Sequence, residues 1–323
     1  ISKEELNDLL HYKYDRLPLF ARIEEIAEKL CFSFYKGSLK KKKTFMKLLK
    51  ECANFKEDYK LIYKHFFMSK FCRIKLTPEE ISSFIDKKVL NYEDSILLAY
   101  LKGMLSGFSY EQSIKQVVID EAQDYTTLQY IIISKIFKKA SFTILGDVNQ
   151  NINPYYKHET LEDLMQIFPC SKYIELKKTY RSSKEIIDYT NKILGLNHVT
   201  AIRRENSKPV IYRSNISNLK KTILDDLNVL SLEYLKMAII AKDHYIATKL
   251  YNTIKNDINV SLINDNAKGI NSDLVIIPAY LAKGLEFDCV IIYNDPLSKY
   301  KRNEKNLLYV ACTRAQHELY IYN

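Results

Sequence analysis

The chain has no tryptophan, and its 323 residues include only 7 glycines and 7 prolines. So few breakers argue against a fibrous or linker-rich polypeptide and for a compact mixed α/β one. Long apolar runs are also missing. Nothing approaches the roughly 18 consecutive residues that span a bilayer, and no secretory leader is visible. A membrane partner is therefore not expected, and a cytoplasmic location is. The six cysteines (Cys31, Cys52, Cys72, Cys170, Cys289 and Cys312) form no Cys-x-x-Cys pair. Cys289 and Cys312 sit in apolar surroundings and read as small core residues of a reducing cytosol. The six histidines are dispersed without zinc-ligand spacing, which argues against a metal cage. The chain begins with Ile1 and not with Met, as expected of a piece of something longer.

What the chain does have is length for two or three domains with real cores. It also has 25 tyrosines and a net charge of +10. That charge is unevenly placed. Lys36 to Lys75 carries 13 basic and 3 acidic residues, a surplus of ten that equals the net charge of the whole chain. Lys40, Lys41, Lys42 and Lys43 are its densest part. Either a polyanion partner or a solvated helical face accounts for such a run.

Residues 1–110 read as helical and irregular. Phe55, Tyr59, Tyr63, Phe66 and Phe67 recur at helical spacing and mark a core-facing stripe. Asp94 to Leu105 reads as a further helix. From 114 onward strands alternate with helices. Strands are expected at 116–119, 142–145, 172–176, 209–213, 237–241, 274–277, 289–293 and 319–322. Helices are expected at 127–138, 160–167, 183–194, 216–231, 244–256 and 304–315. That alternation indicates parallel sheets with helical crossovers, with a division near residue 178.

Val117-Val118-Ile119 runs straight into Asp120-Glu121-Ala122-Gln123-Asp124. An apolar strand ending in two acids is how nucleotide hydrolases set a Mg²⁺-binding acid beside a water-activating one, at the ligand-binding ends of the strands. An acidic helix N-cap is the plainer alternative. Phe142 to Leu145 is a second such strand, leading into Gly146-Asp147-Val148-Asn149-Gln150. Gly146 lets the backbone come close to a ligand, and the Gln150 amide suits a phosphate or an attacking water; an Asp/Asn turn is the alternative. In Thr179-Tyr180-Arg181-Ser182-Ser183 a serine is placed to cap a helix, and Arg181 to reach a phosphate. In Lys283-Gly284-Leu285-Glu286-Phe287-Asp288, Glu286 suits a ribose hydroxyl, or the segment is simply a turn into a strand. Finally, Tyr309 to Ala315 places Arg314 at a helix end, the position of an arginine finger.

In this order, DEAQD, GDVNQ, TYRSS, AKGLEFD and YVACTRA resemble motifs II to VI of the UvrD/Rep group of superfamily 1 helicases. The resemblance covers residue 95 or so to the end. It implies an α/β fold of two RecA-like, P-loop NTPase-type lobes with helix-flanked parallel sheets, the first lobe incomplete, behind a helical basic N-terminal region. Residues 1–95 would correspond to the 1B insertion and lead-in, 96–178 to the end of domain 1A, and 179–323 to domain 2A. The implied cofactors are ATP and Mg²⁺. Asp120 would ligate Mg²⁺, Glu121 would activate the water, and Gln150 would sense the γ-phosphate. Arg181 and Arg314 would stabilise the charge of the phosphate, with Gly284 and Glu286 at the nucleotide and Glu286 on its ribose. Closure of the lobes on ATP would ratchet a strand of nucleic acid, most simply DNA.

Four departures narrow the match. No Gly-x-x-x-x-Gly-Lys-Ser/Thr occurs in the chain, which fits an N-terminal truncation and leaves this piece, by itself, expected to be inactive. Pro278 and Tyr280 stand where DNA-translocating members usually carry a strand-contacting Thr and His. Ile152-Asn153-Pro154-Tyr155-Tyr156 replaces the aromatic and Arg-rich stretch after motif III, with Tyr155 and Tyr156 either stacking bases or forming a packing corner. The interval from Arg181 to Gly284 leaves no space for a large 2B insertion. With the forms of the last two motifs, that missing 2B region looks most like the HelD branch, helicase-like ATPases that bind bacterial RNA polymerase and release stalled complexes. Its basic stretch, Lys40 to Lys43 included, would then face nucleic acid or the polymerase's nucleic-acid channel. Two function classes stand: an ATP-driven motor, on DNA as in a repair helicase or on a transcription complex, and a docking module without turnover.

Overall fold

The computed structural model describes residues 2–52, 58–74, 76–86, 89–109, 113–153, 156, 158–196, 199–202, 208–214, 218–265, 272–295 and 298–323. Phe55, Pro154 and Tyr155, named above, lie outside the described residues. The chain divides into two units. Ile1–Asp120, Tyr125–Leu145 and Asp163–Ser171 form the first, and Glu121–Asp124, Gly146–Glu162 and Lys172–Asn323 the second.

The first unit is mostly helical: α1 (Lys3–Asp8), α2 (Leu19–Tyr35), α3 (Leu39–Cys52), α4 (Tyr59–Met68), α5 (Pro78–Ile85) and α6 (Tyr92–Ser106), then β1 (Gln116–Ile119), α7 (Thr127–Ile136) and β2 (Ser141–Ile144). Local sequence sets several starts. Ser2 with Glu5, Thr77 with Glu80 and Thr126 with Gln129 form capping boxes, each satisfying two orphan backbone donors. Ile23, Ile26, Ala27 and Leu30 recur at helical spacing on α2 and pack with Leu9 and Leu49 into one small core. Tyr63, Ile81 and Ile85 make another. The aromatic stripe of α4 is thus only partly a core face: Tyr63 is buried with Phe67 packed on it, whereas Phe66 is half exposed. β1 and β2 pair in parallel, Gln116 opposite Ser141 through Ile119 opposite Ile144.

In the second unit the strands are β3 (Lys178–Thr179), β4 (Thr200–Ala201), β5 (Ile211–Arg213), β6 (Met237–Ala241), β7 (Ser261–Leu262), β8 (Leu274–Pro278), β9 (Phe287–Tyr293) and β10 (Ala315–Tyr322). The helices are α8 (Lys184–Leu194), α9 (Leu219–Leu230), α10 (His244–Ile254) and α11 (Lys305–Cys312). Six strands form one sheet in the order β5-β10-β9-β6-β8-β7, every pair parallel. Side chains of period two sort its residues between two cores. Ile239, Ile276 and Ile291 face α9 and α10 through Leu227 and Leu250, while Ile240, Ile277 and Ile292 face α8 and α11 through Ile186 and Ala311. This is a parallel sheet with helices on both faces, a RecA-like α/β arrangement.

Two expected elements are absent. Residues 172–176 form no strand, because Tyr173, Ile174 and Leu176 are exposed and only Lys178–Thr179 finds a partner strand. Residues 160–167 make only a 3-10 turn, Glu162–Gln166.

Candidate active site

Parallel pairing of β1 with β2 brings the segments that follow them, Glu121–Asp124 and Gly146–Gln150, side by side. Gly146 is where they touch. A Cβ there would stand 2.7 Å from Gln123 Oε1, 2.9 Å from Ala122 Cβ and 3.0 Å from the Ala122 nitrogen. Gln123 is fully buried and ties the two together. Its Oε1 accepts from the Asp147 N–H at 3.0 Å, its carbonyl accepts from Asn151 Nδ2 at 2.7 Å, and its Nε2 donates to Glu121 Oε2 at 2.6 Å. Glu121 has φ +49°, left-handed for a residue with a full side chain. The acids after β1 do not cap α7; Thr126 does.

Asp147 caps the 3-10 turn Val148–Gln150, accepting from the Asn149 N–H, and its second oxygen accepts from Gln150 Nε2 at 3.1 Å. That fixes the Gln150 amide so that its Oε1 accepts from Arg314 Nη2 at 2.8 Å. Arg314 is buried. It also donates to the carbonyls of Val310 and Leu285 and to Thr313 Oγ1. Burial, and after it the charge of Arg181, pulls its pKa down to about 10, which still leaves a cation at neutral pH. Tyr309 is pushed up from its ordinary value by burial and by the Asp147 carboxylate.

Arg181 reaches the same carbonyl, Leu285 O, at 3.3 Å and pairs with Glu286 Oε1 at 2.9 Å. Its buried Nε has no hydrogen-bond partner among the described residues. The other Glu286 oxygen accepts from Gln316 Nε2. Gly284 turns the chain ahead of Leu285 at φ +78°. Ser183 takes the N-cap position of α8, but its hydroxyl is buried without a hydrogen-bond partner among the described residues and makes no cap bond. Ser182 instead anchors to the Ala315 carbonyl at 2.7 Å.

The structure thus brings together Glu121, Gln150, Arg181, Gly284, Glu286 and Arg314 in the second unit. Asp120 lies exposed at the carboxyl end of β1, in the first. Among the described residues no three His, Cys, Asp or Glu side chains converge as a metal cage. One exposed carboxylate fits Mg²⁺, which takes one or two protein carboxylates and fills its shell with phosphate and water. Sequence reading missed Lys283. Its ammonium, largely buried, grips both oxygens of Asp124 at 2.6 and 2.7 Å and stands 3.7 Å from Glu121 Oε2. Both residues sit inside recognised motifs, but no sequence signal pairs them across 159 positions.

The remaining candidates lie elsewhere. Lys40, Lys41 and Lys43 are exposed on α3, whereas Lys42 is held by Glu28 and Glu24 of α2. Tyr156 packs edge-on against the His158 ring, centroids 4.8 Å apart. Pro278 ends β8 opposite Ala241, and the Tyr280 hydroxyl donates to Asp265. No helix among the described residues is long and apolar enough to cross a membrane.

Comparison with known proteins identifies two helicase domains in the chain. Residues 20–159 match the UvrD/REP helicase N-terminal domain, and residues 273–322 match the UvrD-like helicase C-terminal domain. The chain carries UvrD/Rep-type superfamily 1 helicase domains. Among UvrD/Rep-type relatives, ATP-dependent DNA helicase Rep of Buchnera aphidicola is 29% identical over 115 residues, 34% of this chain and 17% of that protein. ATP-dependent DNA helicase srs2 of Schizosaccharomyces pombe is 26% identical over 132 residues, 39% of this chain and 14% of that protein. The matched parts therefore span less than a fifth of either relative. The C-terminal domain of a possible DNA helicase from Lactobacillus plantarum is 29% identical, with 45% of this chain and 86% of that one covered and a TM-score of 0.36.

Proposed function

We propose that this chain is the part of an ATP-driven superfamily 1 motor that holds the hydrolytic acid and the arginines acting on the transferred phosphate. The observation that carries the reading is the bonded series Glu121–Gln123–Asp147–Gln150–Arg314, joined through the Leu285 carbonyl to Arg181 and Glu286. It sets an exposed carboxylate base, an amide and two guanidiniums on one network. In this reading Glu121 takes the proton of the attacking water, which Gln150 orients. Arg314 and Arg181 face the charge that develops on the phosphoryl oxygens, and Glu286 turns to the ribose. Asp120 would hold Mg²⁺, which would supply positive charge to neutralise the phosphate. Lys283 keeps Asp124, and through it the turn bearing Glu121, in place.

The finer assignment is to the HelD branch, a cytoplasmic motor acting on RNA polymerase complexes. The short Arg181–Gly284 interval supports it, as does Tyr280, whose hydroxyl is engaged by an acid and not free for a strand phosphate. The other reading, a DNA repair helicase translocating on single-stranded DNA, draws on relatives whose names are DNA helicases. Purification of the intact gene product separates the two. Co-purification with core RNA polymerase and little unwinding of a tailed duplex is expected. No polymerase together with robust unwinding would select the repair helicase.

A further inference from the structure

The run Lys40 to Lys43 sits at the tip of the α2–α3 hairpin, beside exposed aromatic rings. Phe32, on the last turns of α2, is 75% exposed, and Tyr35, one turn on, is 48% exposed. The chain then turns sharply through Lys36 at φ +50° and Gly37 at φ +84°, and the Gly37 N–H donates to the Cys31 carbonyl. That turn sets α3 back along α2. Lys42 is the clamp between the helices, bonded to Glu28 at 2.5 Å and Glu24 at 3.2 Å, so its charge is already spent. Lys40, Lys41, Lys43 and Lys47 stay exposed. The Lys41 ammonium stands 4.9 Å above the Tyr35 ring, so cation and ring form one surface.

We propose that this hairpin tip grips single-stranded nucleic acid, with Phe32 and Tyr35 taking bases and Lys40, Lys41, Lys43 and Lys47 taking phosphates. The proposal deepens the nucleic-acid side of the reading above and rests on it. Charge complementarity selects a polyanion. The exposed rings select a single strand, because a duplex keeps its bases stacked inside and offers no faces to them. Phe45, Met46 and Leu49 of α3 are turned into the hairpin core, whereas Phe34 and Leu48 are exposed with the lysines, so an anionic lipid surface is the competing outcome that the test below must separate.

The test is fluorescence anisotropy of the 323-residue chain with a labelled thymidine oligonucleotide, a duplex of equal length and phosphatidylserine vesicles. Single-strand binding that weakens as salt rises is expected. Phe32→Ala, an exposed site, should weaken it about fivefold or more while leaving duplex binding unchanged. The triple change Lys40→Glu, Lys41→Glu, Lys43→Glu should weaken it at least about tenfold and flatten the salt dependence. A melting curve on each variant confirms folding. Equal binding of strand and duplex, no effect of Phe32→Ala, or binding to vesicles alone would overturn the proposal. Glu121→Gln should leave this binding untouched, so failure of the hairpin assignment and failure of the hydrolytic one are separate results.

Discussion

Glu121 holds a left-handed backbone that costs a residue with a Cβ about 1–3 kcal/mol, and such strain persists only where neighbours over-determine it. Here the neighbours are Gln123 on its carboxylate and Lys283 on Asp124. The five motifs were legible as residues, but their wiring was not. The Leu285 carbonyl that serves both arginines is a backbone atom, and nothing in a sequence marks it. Gly146 shows where wiring and stability meet. Gly146→Ala would press a methyl into the Ala122 backbone, which cannot yield as a side-chain tip can. We expect a loss of about 1–3 kcal/mol, read as a lowered Tm, and impaired hydrolysis in the intact gene product. An unchanged Tm would show that the two segments are not in contact. On the proposed reading, Arg314→Ala and Arg181→Ala should each lower kcat of the intact product steeply, because their charge would act on the transition state. Steady-state kinetics that retain normal turnover in both would remove them from the site.

Among elements, the continuous apolar run at 237–241 was readable as a strand, and every one of its residues is buried; the run at 117–119 was readable too, although Val118 is exposed. The run at 172–176 also carries apolar residues yet forms no strand, and among the described residues no strand pairs with it. β4 and β7, two residues each, are too short to show any period. The edge strand β5 is three residues long and is held by charge: Arg213 grips both oxygens of Asp226 on α9, which also accepts from the Tyr322 hydroxyl. Burial pushes the Asp226 carboxyl up, but the Arg213 and Tyr322 hydrogen bonds and the Arg213 charge outweigh it and hold it below its ordinary value. A depressed carboxylate contributes stability above its unfolded pKa and loses it as pH falls through the folded one. The protein should therefore lose stability below about pH 4. Asp226→Asn should be less stable at neutral pH and flatter in acid; parallel pH–Tm curves for the two proteins would contradict the clamp. In the sheet centre, Ile239→Ala should cost about 2–5 kcal/mol, because the residue is fully enclosed between β6 and the helices α9 and α10.

At the scale of the molecule, the parallel α/β class was plain from the alternation of apolar runs with helical segments, and the basic N-terminal region from its charge. Which charges are held in pairs was not plain: Lys42, in the middle of the run, is held by Glu28 and Glu24, whereas Lys41 and Lys43 beside it are exposed. The chain also lacks a phosphate-cradling Gly-Lys-Ser/Thr loop. By itself it should hydrolyse ATP far below the roughly 1–100 s⁻¹ usual for phosphoryl transfer. The central claim is that Glu121 is the base of an ATP-hydrolysing motor, and Glu121→Gln tests it most directly, since the change removes the base and keeps the shape. Nucleotide binding and hydrolysis should be measured side by side on the intact gene product. The account predicts binding largely retained and turnover abolished; turnover near that of the unaltered protein would contradict it.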